Sequence, residues 1–169
     1  MMSPDELRRL QAPLKERYRG TPEAAVITLR AQGTVGEGVT CSVEAGKAFV
    51  EAGLHPATGG SGLSACSGDM LLQALVACAG VTLNAVATAL EIKLSSATVH
   101  AEGDLDVRGT LGVSKEAPVG FRSIRLRFDL ETQCTEEQVA TLLRLTERYC
   151  VVFQTLAQPP AIAVSHKRL

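Results

Sequence analysis

The chain has no tryptophan, and aromatic residues make up only 4% of it. Bases stack on exposed aromatic rings, so a platform for single-stranded nucleic acid is excluded for want of material. An excess of either charge is also missing: 17 Lys and Arg stand against 18 Asp and Glu, a formal net charge of -1. Nucleic acids and anionic membrane surfaces select basic patches, and this chain shows no such bias. No Cys-x-x-Cys spacing occurs among Cys41, Cys66, Cys78, Cys134 and Cys150, and their number is odd. That disfavours a disulfide-stapled secreted scaffold and a zinc knuckle alike. The opening MMSPDELRRLQAP carries acids and proline where a secretion signal has an apolar core, so a cytoplasmic protein is expected. His55 precedes a proline, His100 falls on a polar strand face and His166 is in the tail, a spread without metal-ligand spacing.

What the chain does have is apolar content, 46% of 169 residues, enough for one sizeable core. Ser3, Pro4 and Glu6 signal a first helix, ending near Gly20 and kinked at Pro13, its basic residues forming a solvated face. We assign 1–22 as an N-terminal helical extension and 23–169 as the main domain. From Ala24 to about Leu54, VITLRAQG, GVTCSVEAG and KAFVEAGL read as three short strands with tight turns. Cys41 alternates in phase with Val39 and Val43, an apolar filler on the buried side. The loop HPATGGSGLSACSGD lacks the Gly-Lys-Ser/Thr ending of a phosphate-binding loop.

From Met70 to Leu90 no residue is charged. Gln73, Gly80, Thr82, Asn84 and Thr88 interrupt that run, so a helix buried within a soluble protein is a better reading than a membrane span. Ser67 is the expected cap and Asp69 suits the first turn. In helical projection Gln73, Ala77, Gly80, Asn84 and Thr88 form a weakly polar stripe, and Cys78 lies on the other side near Leu75, Thr82, Ala85 and Val86.

Two alternating strands follow. Ala97, Val99, Ala101, Leu105 and Val107 share one face of the first, and Ile124, Leu126, Phe128 and Leu130 one face of the second, with acids and arginines outside that can pair across. Thr135 and Gln138 form a capping box for the next helix, whose apolar face runs through Val139, Leu142, Leu143 and Thr146 to Cys150. After QPP, AIAVSHKRL is expected as a closing strand. The order is α+β. The charge-free helix needs cover on several sides, and a dimer would provide it. Cys78 and Cys150 both point inward, and thiols that meet there imply redox chemistry.

SGDMLLQALVACAGVTLNAVA, the alternating strands after it, and ERYCVVFQTL closely resemble the OsmC/Ohr family of thiol-dependent hydroperoxide reductases, from about Ala24 to the C-terminus. The resemblance implies an intertwined homodimer with antiparallel sheets wrapping central helices and active sites at the subunit interface. It implies that Cys78 attacks a hydrophobic organic hydroperoxide and that Cys150 resolves the sulfenic acid as a disulfide, which an external dithiol reduces, in oxidative-stress defence and without metal or organic cofactor. Thiolate formation at a mid-helix cysteine calls for a nearby cation, and Arg30 in ITLRAQG is the candidate for the family's arginine. Two departures stand out: Gly68 occupies the position of the hydroperoxide-resistance branch's glutamate, with Asp69 adjacent, and Val151, Val152 and Phe153 follow Cys150 where many relatives have proline and small polar residues. They place the chain nearer the general OsmC-like branch, and they leave open a second reading, a non-catalytic small-molecule binding protein with an apolar cleft at the dimer interface.

Overall fold

Both capping signatures close as hydrogen-bonded boxes. Ser3 N–H donates to Glu6 Oε2 at 2.8 Å and Glu6 N–H to Ser3 Oγ at 3.2 Å. Thr135 N–H donates to Gln138 Oε1 at 2.9 Å and Gln138 N–H to Thr135 Oγ1 at 3.3 Å. Each box satisfies donors that a helix start leaves without intrahelical partners. The computed structural model describes residues 3–6, 9, 11–12, 21, 33–35, 40–45, 48–112 and 114–168. Residues 4–6, 9 and 11–12 are helical; the Pro13 kink, the helix end near Gly20 and the first expected strand as far as Gln32 lie outside the described residues.

Three strands, β1 (Gly33–Val35), β2 (Thr40–Ala45) and β3 (Ala48–Gly53), form an antiparallel meander, to which the short β4 (Ala65–Cys66) adds in parallel beside β3. Cys41 pairs with Ala52 and Val35 in this ladder; its side chain lies outside the described residues. Helix α1 (Ser67–Ala89) starts directly from β4, with Cys66 at the N-cap and no side-chain cap bond. Ser67 is thus the first helical residue, not the cap. The strand pairing of Cys66 already fixes the extended conformation that a cap residue needs. Asp69 sits in the first turn as expected.

By length and composition α1 could cross a membrane. In this fold it instead buries Leu75, Ala79, Leu83 and Ala87, a row at i, i+4 spacing, against the rest of the chain. Its partners are β5 (Leu94–Leu105), β6 (Phe121–Thr132), α3 (Glu136–Tyr149) and α4 (Val151–Ala157). Strands β5 and β6 pair antiparallel, and the faces of β6 alternate as its sequence requires, with Ile124, Leu126, Phe128 and Leu130 toward the core. Arg125 reaches across to Glu102 and Asp104. Arg127 pairs with Asp129 of its own strand, because the register sets His100 opposite it rather than an acid. Gly103 is required where it stands: a Cβ there would lie 2.5 Å from the Phe121 ring.

Two expectations for these segments are corrected. Val107 does not continue β5; it opens the one-turn helix α2 (Val107–Thr110), because the Asp106 carboxylate accepts from Arg108 N–H at 3.2 Å and pairs with its guanidinium. This local turn competes with the ladder at the end of β5, where Leu105 is exposed; Ala97, near its start, is exposed too. Among the described residues, 161–168 of AIAVSHKRL form no strand. After α4, residues 159–168 have no regular structure, and Ile162 and Val164 are 86% and 93% exposed. A strand needs a sheet edge to complete its backbone hydrogen bonds, and no described edge of the same chain lies alongside.

The core has two centres along α1. Leu75 and Ala79 pack with Cys150 near one end, and Leu83 and Ala87 pack with Leu142 near the other. The first holds the thiols; the second ties α1 to α3.

Candidate active site: a thiol pair at a helix break

Cys150 is both the last cap of α3 and the first cap of α4. Its backbone is extended, with φ -75° and ψ 108°, and its N–H still donates to Thr146 O at 2.9 Å while its carbonyl accepts from Gln154 N–H at 2.9 Å. One residue therefore breaks a continuous amphipathic pattern into two helices, and its side chain enters the core, 1% exposed. Thr146, one turn earlier, is also buried, its hydroxyl donating to Leu142 O at 2.8 Å. The inward placement read from the spacing of Val139, Leu142, Leu143 and Thr146 holds.

Cys78 lies half-buried at the middle of α1, packed against the Leu75, Ala79 and Cys150 cluster. Cys78 and Cys150 lie in one cluster, both as free thiols, and each influences the titration of the other. Burial pushes the Cys78 thiol up, yet the Val152 N–H, the Cys150 thiol, the Val151 N–H and the Thr82 hydroxyl all favour its thiolate, and the balance holds it below the ordinary thiol value. Burial pushes the Cys150 thiol up as well. Against it acts only the donation of Phe153 and Val152 N–H, while Cys78 adds hydrogen bonding and charge that raise it further. The first proton to leave the pair leaves from Cys78 below the usual thiol range, and Cys150 stays protonated beside it.

Among the described residues the donors that favour the Cys78 thiolate are not cations. They are neutral groups, and two are the opening amides of α4, which have no intrahelical acceptor. Cys78 gains nothing from the dipole of its own helix at mid-length, but it lies across from the start of another. The residues after Cys150 that depart from the family pattern serve this arrangement, since Val151 carries an N–H that proline lacks. Proline is well tolerated at a first helical position, so Val151→Pro should fold normally and still slow Cys78. We expect its thiolate to form only at higher pH, with iodoacetamide alkylation of Cys78 at neutral pH slower by about threefold, in line with one lost hydrogen bond.

Arg30 lies outside the described residues. Gly68 and Asp69 stand at the start of α1, about 15 Å along the helix axis from Cys78. A carboxylate at either position cannot touch Cys78 of the same chain. A cavity of about 640 Å³ opens there, lined by Gly68, Asp69, Cys66, Leu105 and Phe121 among others. A second cavity, of about 610 Å³, is walled by Leu75, Ile124, Leu126, Phe128, Phe153 and Leu156, with Arg122, Arg127 and Glu147 as its charged members. The six apolar residues belong to the cluster around Cys150, so cavity and thiol pair share a wall although neither sulfur lines it. His100 pairs with Asp129 at 3.0 Å, and His55 Nδ1 accepts from Ala57 N–H at 3.0 Å in a local turn. Among the described residues no three His, Cys, Asp or Glu side chains are grouped to hold a metal.

The sequence groups Thr82 with Cys78 on one helix face, but the sequence reading missed its hydroxyl as a group that favours the thiolate. It also missed the α4 amides, for which the sequence carries no signal, because the helix break at Cys150 is not marked by glycine or proline.

A long helix backed by a two-stranded antiparallel ladder and two further helices, with paired free thiols at their junction, defines an α+β protein of the OsmC-like fold. Residues 59–165, more than half of the chain, match the family described as OsmC-like protein, and the chain belongs to that family. Solved structures with this fold include an OsmC-like protein from Mycoplasma pneumoniae, at 16% identity and TM-score 0.66, the match covering 79% of this chain and 89% of that one. An organic hydroperoxide resistance protein from Elizabethkingia anophelis matches at 19% identity and TM-score 0.65, covering 80% of this chain and 91% of that one. An organic hydroperoxide resistance protein OsmC from Legionella pneumophila matches at 17% identity and TM-score 0.62, over 79% and 92%. A comparison with curated protein sequences finds no match.

Proposed function

We propose that the protein is a two-cysteine peroxidase that reduces hydrophobic organic hydroperoxides. The observation that carries this reading is the contact between a half-buried Cys78 whose thiolate is favoured and a buried Cys150 that stays protonated. The Cys78 thiolate attacks the outer peroxide oxygen; an S–O bond forms, the O–O bond breaks, and the alkoxide leaves as the alcohol after taking a proton from water. The sulfur is oxidised by two electrons and becomes a sulfenic acid. Cys150 then attacks it, the S–S bond forms and water departs. An external dithiol returns both thiols, and cytoplasmic oxidative-stress defence is the setting. The apolar wall shared with the 610 Å³ cavity favours substrates with hydrophobic substituents.

Arg30 is assigned as a further activating group from the N-terminal strand region; an unchanged peroxide rate in Arg30→Met would remove it. We place the active unit in an intertwined homodimer, with 1–22 as an extension of the main domain. Exposed apolar residues on α1, such as Val81 at 74%, and the unpaired 159–168 support it. Deleting residues 159–169 should convert a dimer to monomer in analytical ultracentrifugation; an unaltered dimer would exclude a strand contribution from the tail.

The second reading, a non-catalytic binding protein, is favoured by one observation, that neither sulfur lines the apolar cavity. Peptide mass spectrometry after one equivalent of cumene hydroperoxide separates the two. A Cys78–Cys150 disulfide with Cys41, Cys66 and Cys134 still reduced supports the peroxidase; unspent peroxide and free thiols leave the binding protein.

A further inference from the structure

Thr82 follows Cys78 by four residues on α1. Side chains on a helix lean toward its N-terminus, so the Thr82 hydroxyl lies over the Cys78 turn. Its Oγ1 donates to Cys78 O at 2.8 Å, which holds the hydroxyl on the Cys78 turn, and it is among the groups that favour the Cys78 thiolate. The carbonyl bond alone is an ordinary habit of helical threonine: Thr88 and Thr146 do the same to Asn84 O and Leu142 O, each at 2.8 Å. The difference is the acceptor beside it. Cys78 O already receives the helical N–H four residues on, so it does not depend on the hydroxyl. The hydroxyl has one proton and rotates freely about its C–O bond. A thiolate is the stronger acceptor, since hydrogen bonds to charged groups exceed those to neutral ones.

We infer that the Thr82 hydroxyl is a catalytic hydrogen-bond donor to the Cys78 sulfur, held on the Cys78 carbonyl while the sulfur is a thiol and turned to it once the sulfur is a thiolate. The inference rests on the peroxidase reading for its use, but the donor role toward the thiolate can be tested without it. Around the sulfur cluster, the α3–α4 junction contributes the titratable Cys150 thiol, β5 contributes apolar Val99 and Ala101, and α4 contributes Val152 and Phe153. Among the described residues Thr82 thus joins the Val151 and Val152 amides as a neutral donor. As the S–O bond forms, the negative charge passes from sulfur to the departing alkoxide, which takes its proton from water; Thr82 keeps its own proton throughout.

The test is the pH profile of Cys78 alkylation by iodoacetamide, read by peptide mass spectrometry in the full-length protein, beside the single-turnover rate with cumene hydroperoxide. Thr82→Val keeps the shape and removes the donor. It should shift thiolate formation to higher pH, slow alkylation at neutral pH about threefold and slow peroxide reduction with it. Thr82→Ser should restore both, which a packing role would not do. Thr82→Ala, which suits a helix interior, should behave as Thr82→Val and serves if that variant does not fold. Superimposed alkylation profiles for wild type and Thr82→Val or Thr82→Ala would overturn the inference, even if peroxide is reduced. Profiles that separate while no variant consumes peroxide would uphold the donor role and overturn the peroxidase reading.

Discussion

Cys78→Ser is expected to lose peroxide turnover altogether, a fall of more than about a thousandfold. A serine hydroxyl in this place faces the same α4 amides and the same Cys150 thiol, but neutral donors cannot bring it to its anion, and oxygen does not form the sulfenic acid on which the cycle depends. Cys150→Ser should fail differently. It consumes one equivalent of hydroperoxide and stops, leaving a Cys78 sulfenic acid that dimedone captures. Multiple turnover surviving in either variant would contradict the roles assigned. In the wild type the reacting species is the charged form of Cys78, which its donors favour. The rate should thus be present above the Cys78 pKa and lost as pH falls through it, that pKa lying below the ordinary thiol value. Cys150 remains protonated across this range because burial and the neighbouring thiolate hold it up. A rate that begins to rise only above the ordinary thiol pKa would show that the donors do not act on Cys78.

The second large effect concerns stability rather than chemistry. Leu142 is fully buried and joins α3 to Leu83 and Ala87 of α1, with Phe128 and Leu130 of β6 packed on the same cluster. Leu142→Ala removes those contacts and opens a cavity that three converging elements cannot close without shifting. A loss of about 3 kcal/mol is expected from guanidinium unfolding, a large share of the roughly 5–15 kcal/mol that holds a typical domain together. The thiol cluster lies toward the other end of α1, so alkylation of Cys78 in the folded variant should keep its wild-type pH profile. A loss below about 1 kcal/mol would mean that this junction repacks easily.

Much of this architecture was open to reading along the chain, because local rules control it. Capping boxes at Ser3 and Thr135, alternation on β6, the span of the charge-free helix and the inward face ending at Cys150 each follow from residue spacing and short-range hydrogen bonds. Misreadings arose where two local preferences competed. Asp106 capped a turn instead of extending a strand, and Cys66, held by β4, displaced Ser67 as the helix cap. The tail was expected as a closing strand, yet a strand exists only where an edge receives it.

The sequence by itself determined that two cysteines face inward from separate helices, since periodicity sets the direction of a side chain from its own element. It could not set which groups would surround them. Nothing in the spacing of Cys78 and Cys150 places the amides of Val151 and Val152 on the Cys78 sulfur. That contact exists because the chain breaks at Cys150 and α4 packs on α1, with Phe153 and Leu156 against the Leu75, Ala79 and Cys150 cluster. The opposed titration of the two thiols is likewise a property of their burial and mutual contact. Acidity at these sites depends on distances between elements remote in sequence, and only the packed tertiary structure supplies those distances.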